Sequence, residues 1–174
     1  GDVNGDGFDD LIVGAWGTDY VVFGKASNFD AAMNLSNLDG NNGFKLDGFI
    51  NSSNAGDVNG DGFDDLIVGN PSADFNGNAS GSSYVVFGSA FGFNATLDLA
   101  SLNGNNGFRL DGASKYDGAG RSVSNAGDVN GDGFDDLIVG AFGTDSNGRA
   151  APSSDYVVFG KASGFDAAMD LSTL

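Results

Sequence analysis

The chain has 174 residues, 24 acidic against 7 basic side chains and a formal net charge of −17; every acid is aspartate, and histidine, cysteine and glutamine are absent. Without Cys or His there is no disulfide, thiol nucleophile, Cys- or His-ligated zinc or Ser-His-Asp triad, and the charge opposes nucleic acid and anionic lipid surfaces. No apolar run approaches the ~18 residues of a membrane-spanning helix, while 40% hydrophobic content with 15 Phe argues for a folded chain.

The chain opens on Gly1–Gly14, GDVNGDGFDDLIVG, and the same fourteen letters return at Gly56–Gly69 and Gly127–Gly140. After the acidic loop come two short β-branched runs, Asp10–Gly14 and Tyr20–Gly24, bounded by Gly and Asp. They lack polar alternation, which predicts strands buried on both faces. The next stretch, Phe29–Leu38, has room for one helical turn at most. Asn41–Gly48 then reads NNGFKLDG, and its Phe44–Asp47 portion alternates as an edge strand does, with Lys45 facing solvent. The second unit repeats the order, with YVVFG at Tyr84–Gly88 and NNGFRLDG at Asn105–Gly112, where Arg109 takes the place of Lys45. Before the third acidic loop lies Gly120–Asn125, a polar, small-residue strand, and Leu46–Ala55 is seven residues shorter than its counterpart Leu110–Ala126, which predicts an abbreviated first strand in unit two. The third unit closes with YVVFG at Tyr156–Gly160.

The repeat spacings of 55 and 71 define units 1–48, 49–112 and 113–174. A four-stranded antiparallel unit buried on both faces needs a neighbour on each side, and radial stacking of blades supplies it. The expected fold is therefore all-β with propeller-type blades. Ten strands, or two and a half to three blades, fall short of the ~4 that a propeller typically needs. The chain is accordingly expected to be part of a longer polypeptide or of an assembly.

The acidic loop sets oxygen-bearing side chains at relative positions 1, 3, 5 and 9, Gly at 6 for a sharp turn, and a residue at 7 placed to offer its carbonyl. Ca²⁺ takes 6–8 oxygens at ~2.3–2.6 Å from such a loop, and Mg²⁺ suits it less because it holds its waters and demands octahedral geometry. An EF-hand needs Glu at position 12 and a following helix; position 12 here is Val13, Val68 or Val139, inside a strand. Asn-Gly and Asp-Gly steps also make ordinary hairpin turns, but four carboxylates in nine residues, three times over, are a repulsion that no bare turn requires. Three Ca²⁺, each adding two charges, bring the formal charge from −17 to −11. Asp9, Asp64 and Asp135, at position 8, are expected to be solvated.

The pattern AGDVNGDGFDDLIVGA resembles the FG-GAP repeat of integrin α-subunit propellers and of many bacterial surface and secreted proteins, and the likeness extends over nearly the whole chain. The near-identity of the units resembles bacterial, cyanobacterial-type arrays more than an animal integrin. The resemblance implies a calcium loop between the first two strands of each blade. By position its ligands are Asp2, Asn4, Asp6, the Phe8 carbonyl and Asp10; then Asp57, Asn59, Asp61, Phe63 and Asp65; then Asp128, Asn130, Asp132, Phe134 and Asp136.

Three functions are compatible with these letters. The first is a calcium-stabilised extracellular adhesion or scaffold module that binds a protein, matrix or glycan ligand through variable connections such as 70–83 and 142–155. The second is a carbohydrate-binding propeller with Trp16 or Phe142 stacked on a sugar, against the simpler role of packing between blades. A structural subunit joined to further repeats or other copies through open strand edges is a variant of the first. The third is an enzyme, which lacks any singled-out acid and base and is not expected.

Overall fold

The computed structural model describes residues 1–15, 17–47, 51–151 and 153–174. Trp16, and with it the sugar-stacking role considered for it, lies outside the described residues, as does the end of the first NNGF block at Gly48. The architecture is all-β, with twelve strands in three sheets and short 3₁₀ turns as the only helical elements among the described residues.

The middle sheet holds one complete blade. β4 (Asn51–Gly56), β5 (Asp65–Asn70), β6 (Ser82–Val86) and β8 (Gly107–Asp111) pair antiparallel in that order. In the first sheet β1 (Leu11–Ala15), β2 (Thr18–Val22) and β3 (Gly43–Asp47) correspond to the last three strands of a blade. The third sheet, β9 (Ala119–Gly127), β10 (Asp136–Ala141) and β11 (Ser154–Val158), corresponds to the first three. None of the sheets closes into a barrel. β4 has six residues and β9 nine, the shortening expected from the spacing.

Two further strands depart from the expected ten. β7 (Thr96–Leu97) leaves unit two to pair in parallel with β3, and β12 (Ala168–Asp170) leaves unit three to pair in parallel with β8. β3 and β8 are therefore not open edges. The Lys45 backbone donates to the Ala95 carbonyl at 3.0 Å and that of Arg109 to Ala167 at 3.0 Å. Nor do their side chains ward off neighbours. Lys45 pairs with Asp47 at 2.7 Å, while Arg109 pairs with Asp111 and lays its guanidinium over the Phe75 ring. β7 and β12 each lead into a 3₁₀ turn, and unit one has the same turn without a crossing strand; Asn34, Asp98 and Asp170 cap the three by accepting from the backbone N–H two residues on.

The core consists of two layers between blades rather than one centre. In the first, Val3, Val21, Phe23, Phe44 and Leu46 meet Leu66, Val68, Tyr84 and Val86 of the next unit. In the second, the equivalent Val58, Val85, Phe87, Phe108 and Leu110 meet Leu137, Val139 and Val158. Burying each such side chain contributes about 1.5–3 kcal/mol. Aromatic stacking repeats too, Phe93 on Phe44 and Phe165 on Phe108, both with centroids 4.5 Å apart. β5 and β6 are buried on both faces, as the absence of alternation predicts. β1 and β11 carry the same letters but each packs a blade on one side only.

Candidate metal loops and the joints between them

Each acidic loop closes on itself through its aspartates. The Asp2 carboxylate accepts from Gly5 at 2.8 Å, Asp6 at 3.1 Å and Gly7 at 2.8 Å, winding the loop around one side chain. Asn4 accepts from the Asp6 N–H at 3.0 Å and donates its amide to the Asp6 carboxylate at 3.1 Å. Asp6 then accepts from the Phe8 N–H at 2.9 Å. The other two loops repeat this pattern, with Asp57, Asn59 and Asp61 in one and Asp128, Asn130 and Asp132 in the other. Gly5 and Gly7 sit at φ of 71° and 87°, the left-handed conformation these turns need.

The aspartate at position 9 lies at the base. Asp10 accepts from Val3 at 2.9 Å and from Gly24 at 2.8 Å, tying the loop start to the end of the hairpin. Asp65 does so with Val58 and Gly88, and Asp136 with Val129 and Gly160. Asp65 and Asp136 are fully buried. Burial pushes the Asp65 carboxyl up to about 8 against the pull of its two N–H donors, and the nearby Asp61 and Asp57 charges add to the rise. Asp10 shifts in the same direction for the same reason.

The loop's own hydrogen bonds thus link positions 1, 3 and 5, while position 9 ties the start of the loop to the end of the hairpin. All the donors are oxygen, the chemistry a hard cation requires. As the loops stand, no three acidic side chains among the described residues are close enough to hold an ion together. Asp2 has three of the roughly four lone-pair directions of a carboxylate turned onto backbone N–H groups, and Asp10 has one donor on each oxygen.

Position 8 is not simply solvated. The Asp64 carboxylate accepts from the Asp2 N–H of the preceding unit at 2.7 Å, and the Asp64 N–H donates to the Asp2 carbonyl at 3.1 Å. Asp135 and Asp57 form the same pair at 3.0 and 3.1 Å. Next to each clasp, the Phe63 ring covers Gly5 so closely that a methyl group there would stand 2.1 Å from the ring, and Phe134 covers Gly60 likewise. A third bond joins Ser89 N–H to the Val3 carbonyl, and Lys161 N–H to that of Val58. Sequence reasoning assigned Asp64 and Asp135 to solvent because it considered each loop alone. The recurrence of a fourth aspartate outside the ligand pattern was the available signal.

Small acidic loops at the joints of stacked four-stranded units define a repeat protein of propeller-type blades. The FG-GAP repeat family model matches residues 49–86 and 119–151, each span running from the first strand of a unit through its acidic loop. At these two places the chain carries FG-GAP repeats. Such repeats build non-enzymatic β-propeller-type modules, often for adhesion or ligand binding, and are typical of extracellular proteins. No curated protein matches the chain. Among the described residues, no helix is long and apolar enough to cross a membrane.

Proposed function

We propose that the chain is a calcium-binding extracellular module whose acidic loops are structural and whose adhesive or scaffolding contacts lie elsewhere on the blades. The observation that carries this reading is the threefold recurrence of one oxygen-only loop on one hairpin, with a carboxylate buried at its base. Burying a carboxylate at the base of such a loop is costly, and the raised Asp65 carboxyl registers that desolvation in the middle loop, with the nearby Asp61 and Asp57 charges adding to it. A divalent cation among Asp57, Asn59, Asp61 and Asp65 would offset it, as would one in the first and third loops. Calcium modules of the extracellular kind have Kd values of about 10⁻⁴–10⁻³ M, which suits loops as exposed as these. The carried ligand is a protein, matrix or glycan surface presented by the same compartment.

Calorimetric titration with Ca²⁺ tests the reading. The expected stoichiometry is three per chain, falling to two in Asp57→Ala. At a free concentration of 100 Kd each occupied site stabilises the fold by about 2.7 kcal/mol, so calcium raises the melting temperature and a chelator reverses the rise. An unchanged melting temperature in excess Ca²⁺ defeats the proposal.

A further inference from the structure

The joint between the first and second units is not packed solid along its whole length. Where β7 has crossed onto β3, a pocket of about 480 Å³ opens between it and β8, within the ~300–1,000 Å³ of small-molecule sites. Buried Tyr84 and half-buried Leu97 give it an apolar lining, Phe75 and Arg109 stand together at one side, and Asp47 and Asp98 bring exposed carboxylates to it. No residue of an acidic loop lines it.

Phe75 reaches the pocket from the connection between β5 and β6. Asn76 beside it donates its amide to the Gly112 carbonyl at 2.9 Å and to the Asp170 carboxylate at 2.9 Å, fixing that connection against the end of β8. The Arg109 guanidinium lies 3.6 Å from the centre of the Phe75 ring, and Asp111 holds the guanidinium through Nε at 2.7 Å and Nη2 at 2.9 Å. The ring is therefore held in place, yet it is 52% exposed. Nor does its turn need it. Asp74-Phe75-Asn76-Gly77 corresponds to Asp145-Ser146-Asn147-Gly148 in unit three, and both turns close by the glycine N–H on the aspartate carbonyl, at 3.4 and 2.9 Å.

The lining selects by charge. Asp47 takes Lys45 on one oxygen at 2.7 Å and Asp98 takes the Ala100 N–H on one oxygen at 2.9 Å, so each keeps a second oxygen for a donor. Asp111 occupies two of the five N–H groups of Arg109, and the others can serve an acceptor. An anion would meet Asp47 and Asp98, and a cation would meet Arg109. A hydrocarbon would strip water from these charged groups and return no hydrogen bond. A neutral molecule with an apolar C–H face and hydroxyls around its edge suits every part of the lining.

We infer that this pocket binds a neutral saccharide, with its C–H face against the rings of Phe75 and Tyr84 and its hydroxyls shared among Asp47, Asp98 and Arg109. The hydroxyls donate to the two carboxylates and accept from the guanidinium. The inference rests on the ligand-carrying side of the proposed function, for which it names a chemical class and a place; the acidic loops take no part in it.

The full chain is tested on an array of neutral oligosaccharides of glucose, galactose and mannose, with hexuronate and sulfated oligosaccharides beside them. The wild type is expected to capture neutral members only, and the strongest is then titrated in solution. Phe75→Ser introduces the residue that unit three already carries, so circular dichroism should show the wild-type fold, and the affinity should fall about tenfold. Asp47→Ala, at an exposed carboxylate, should weaken binding as well. Phe91→Ser removes a fully exposed ring outside the pocket and should change nothing. Phe75→Ser is also expected to take up calcium as the wild type does, so failure of the pocket and failure of the metal loops give different results. Capture of no neutral member, capture of charged members only, or an affinity that either Phe75→Ser or Asp47→Ala leaves unchanged overturns the inference. A chain that takes up no calcium yet loses the sugar on both substitutions supports it and defeats the metal reading alone.

Discussion

The middle unit and its two neighbours share the letters DLIVG and YVVFG, yet they are not equally buried. Leu66 lies in a sealed layer and Leu11 lies half in water; Val58 is enclosed and Val129 is not. The difference comes from the neighbour and not from the strand. A blade of this kind has no interior of its own, so the cohesion of the chain resides in joints, and a residue's contribution depends on whether a joint is present. This is how quasi-one-dimensional repeat stability works, as a sum of unit and nearest-neighbour terms.

The largest test of that comparison is a matched pair of truncations. Leu66→Ala should cost about 2–5 kcal/mol, in the range of buried leucine truncations, whereas Leu11→Ala should stay within about 0.5 kcal/mol. Urea unfolding of the two variants measures both, and equal losses would break the claim that joints hold the chain. The clasp gives a smaller contrast. Asp64→Ala removes a carboxylate that accepts a backbone N–H across a joint, worth about 1.5–3 kcal/mol, while Asp9→Ala should leave the melting temperature where it was. If Asp9→Ala destabilises as much, the pairing of Asp64 with Asp2 is not what matters. The smallest effect concerns Ser83, whose buried hydroxyl has no hydrogen-bond partner. Asp19, at the same place in unit one, is held by the Ser52 hydroxyl of the next blade, but the residue corresponding to Ser52 one unit later is Val123. Ser83→Ala should therefore be neutral or stabilising by up to about 1 kcal/mol, and a loss of that size in thermal unfolding would show that the hydroxyl has a use.

Much of the fold was legible because the repeat is nearly literal. Identical blocks announced the units, the lack of alternation announced burial on both faces, and the short Leu46–Ala55 stretch announced the short β4. The crossing strands β7 and β12 were missed because two or three residues carry no period. Their signal was positional: Met33, Leu97 and Met169 each precede a capping Asn or Asp and then a leucine. Lys45 and Arg109 were misjudged for the same reason, since an edge can be recognised only when the strand beside it is known. In the acidic loops, position and residue type picked out the side chains at 1, 3, 5 and 9, but not the hydrogen bonds by which each loop closes on its own backbone. The role of position 8 required the neighbouring unit. The aspartate bias reaches beyond these loops: Asp98 and Asp170 cap 3₁₀ turns, and Asp39 and Asp145 accept from the backbone two residues on. A carboxylate one methylene longer fits such close returns poorly.

The sameness of the joints has a consequence for how such a chain can change over time. Gly56–Gly69 and Gly127–Gly140 are letter-for-letter identical and begin 71 residues apart. An exchange between them would remove or add one whole blade without altering a single contact type: Asp135 would clasp Asp2 as it now clasps Asp57, and Phe134 would cover Gly5. Length is then inherited separately from fold, and an array of these units can gain or lose blades in single steps while every surviving interface stays the one already in use.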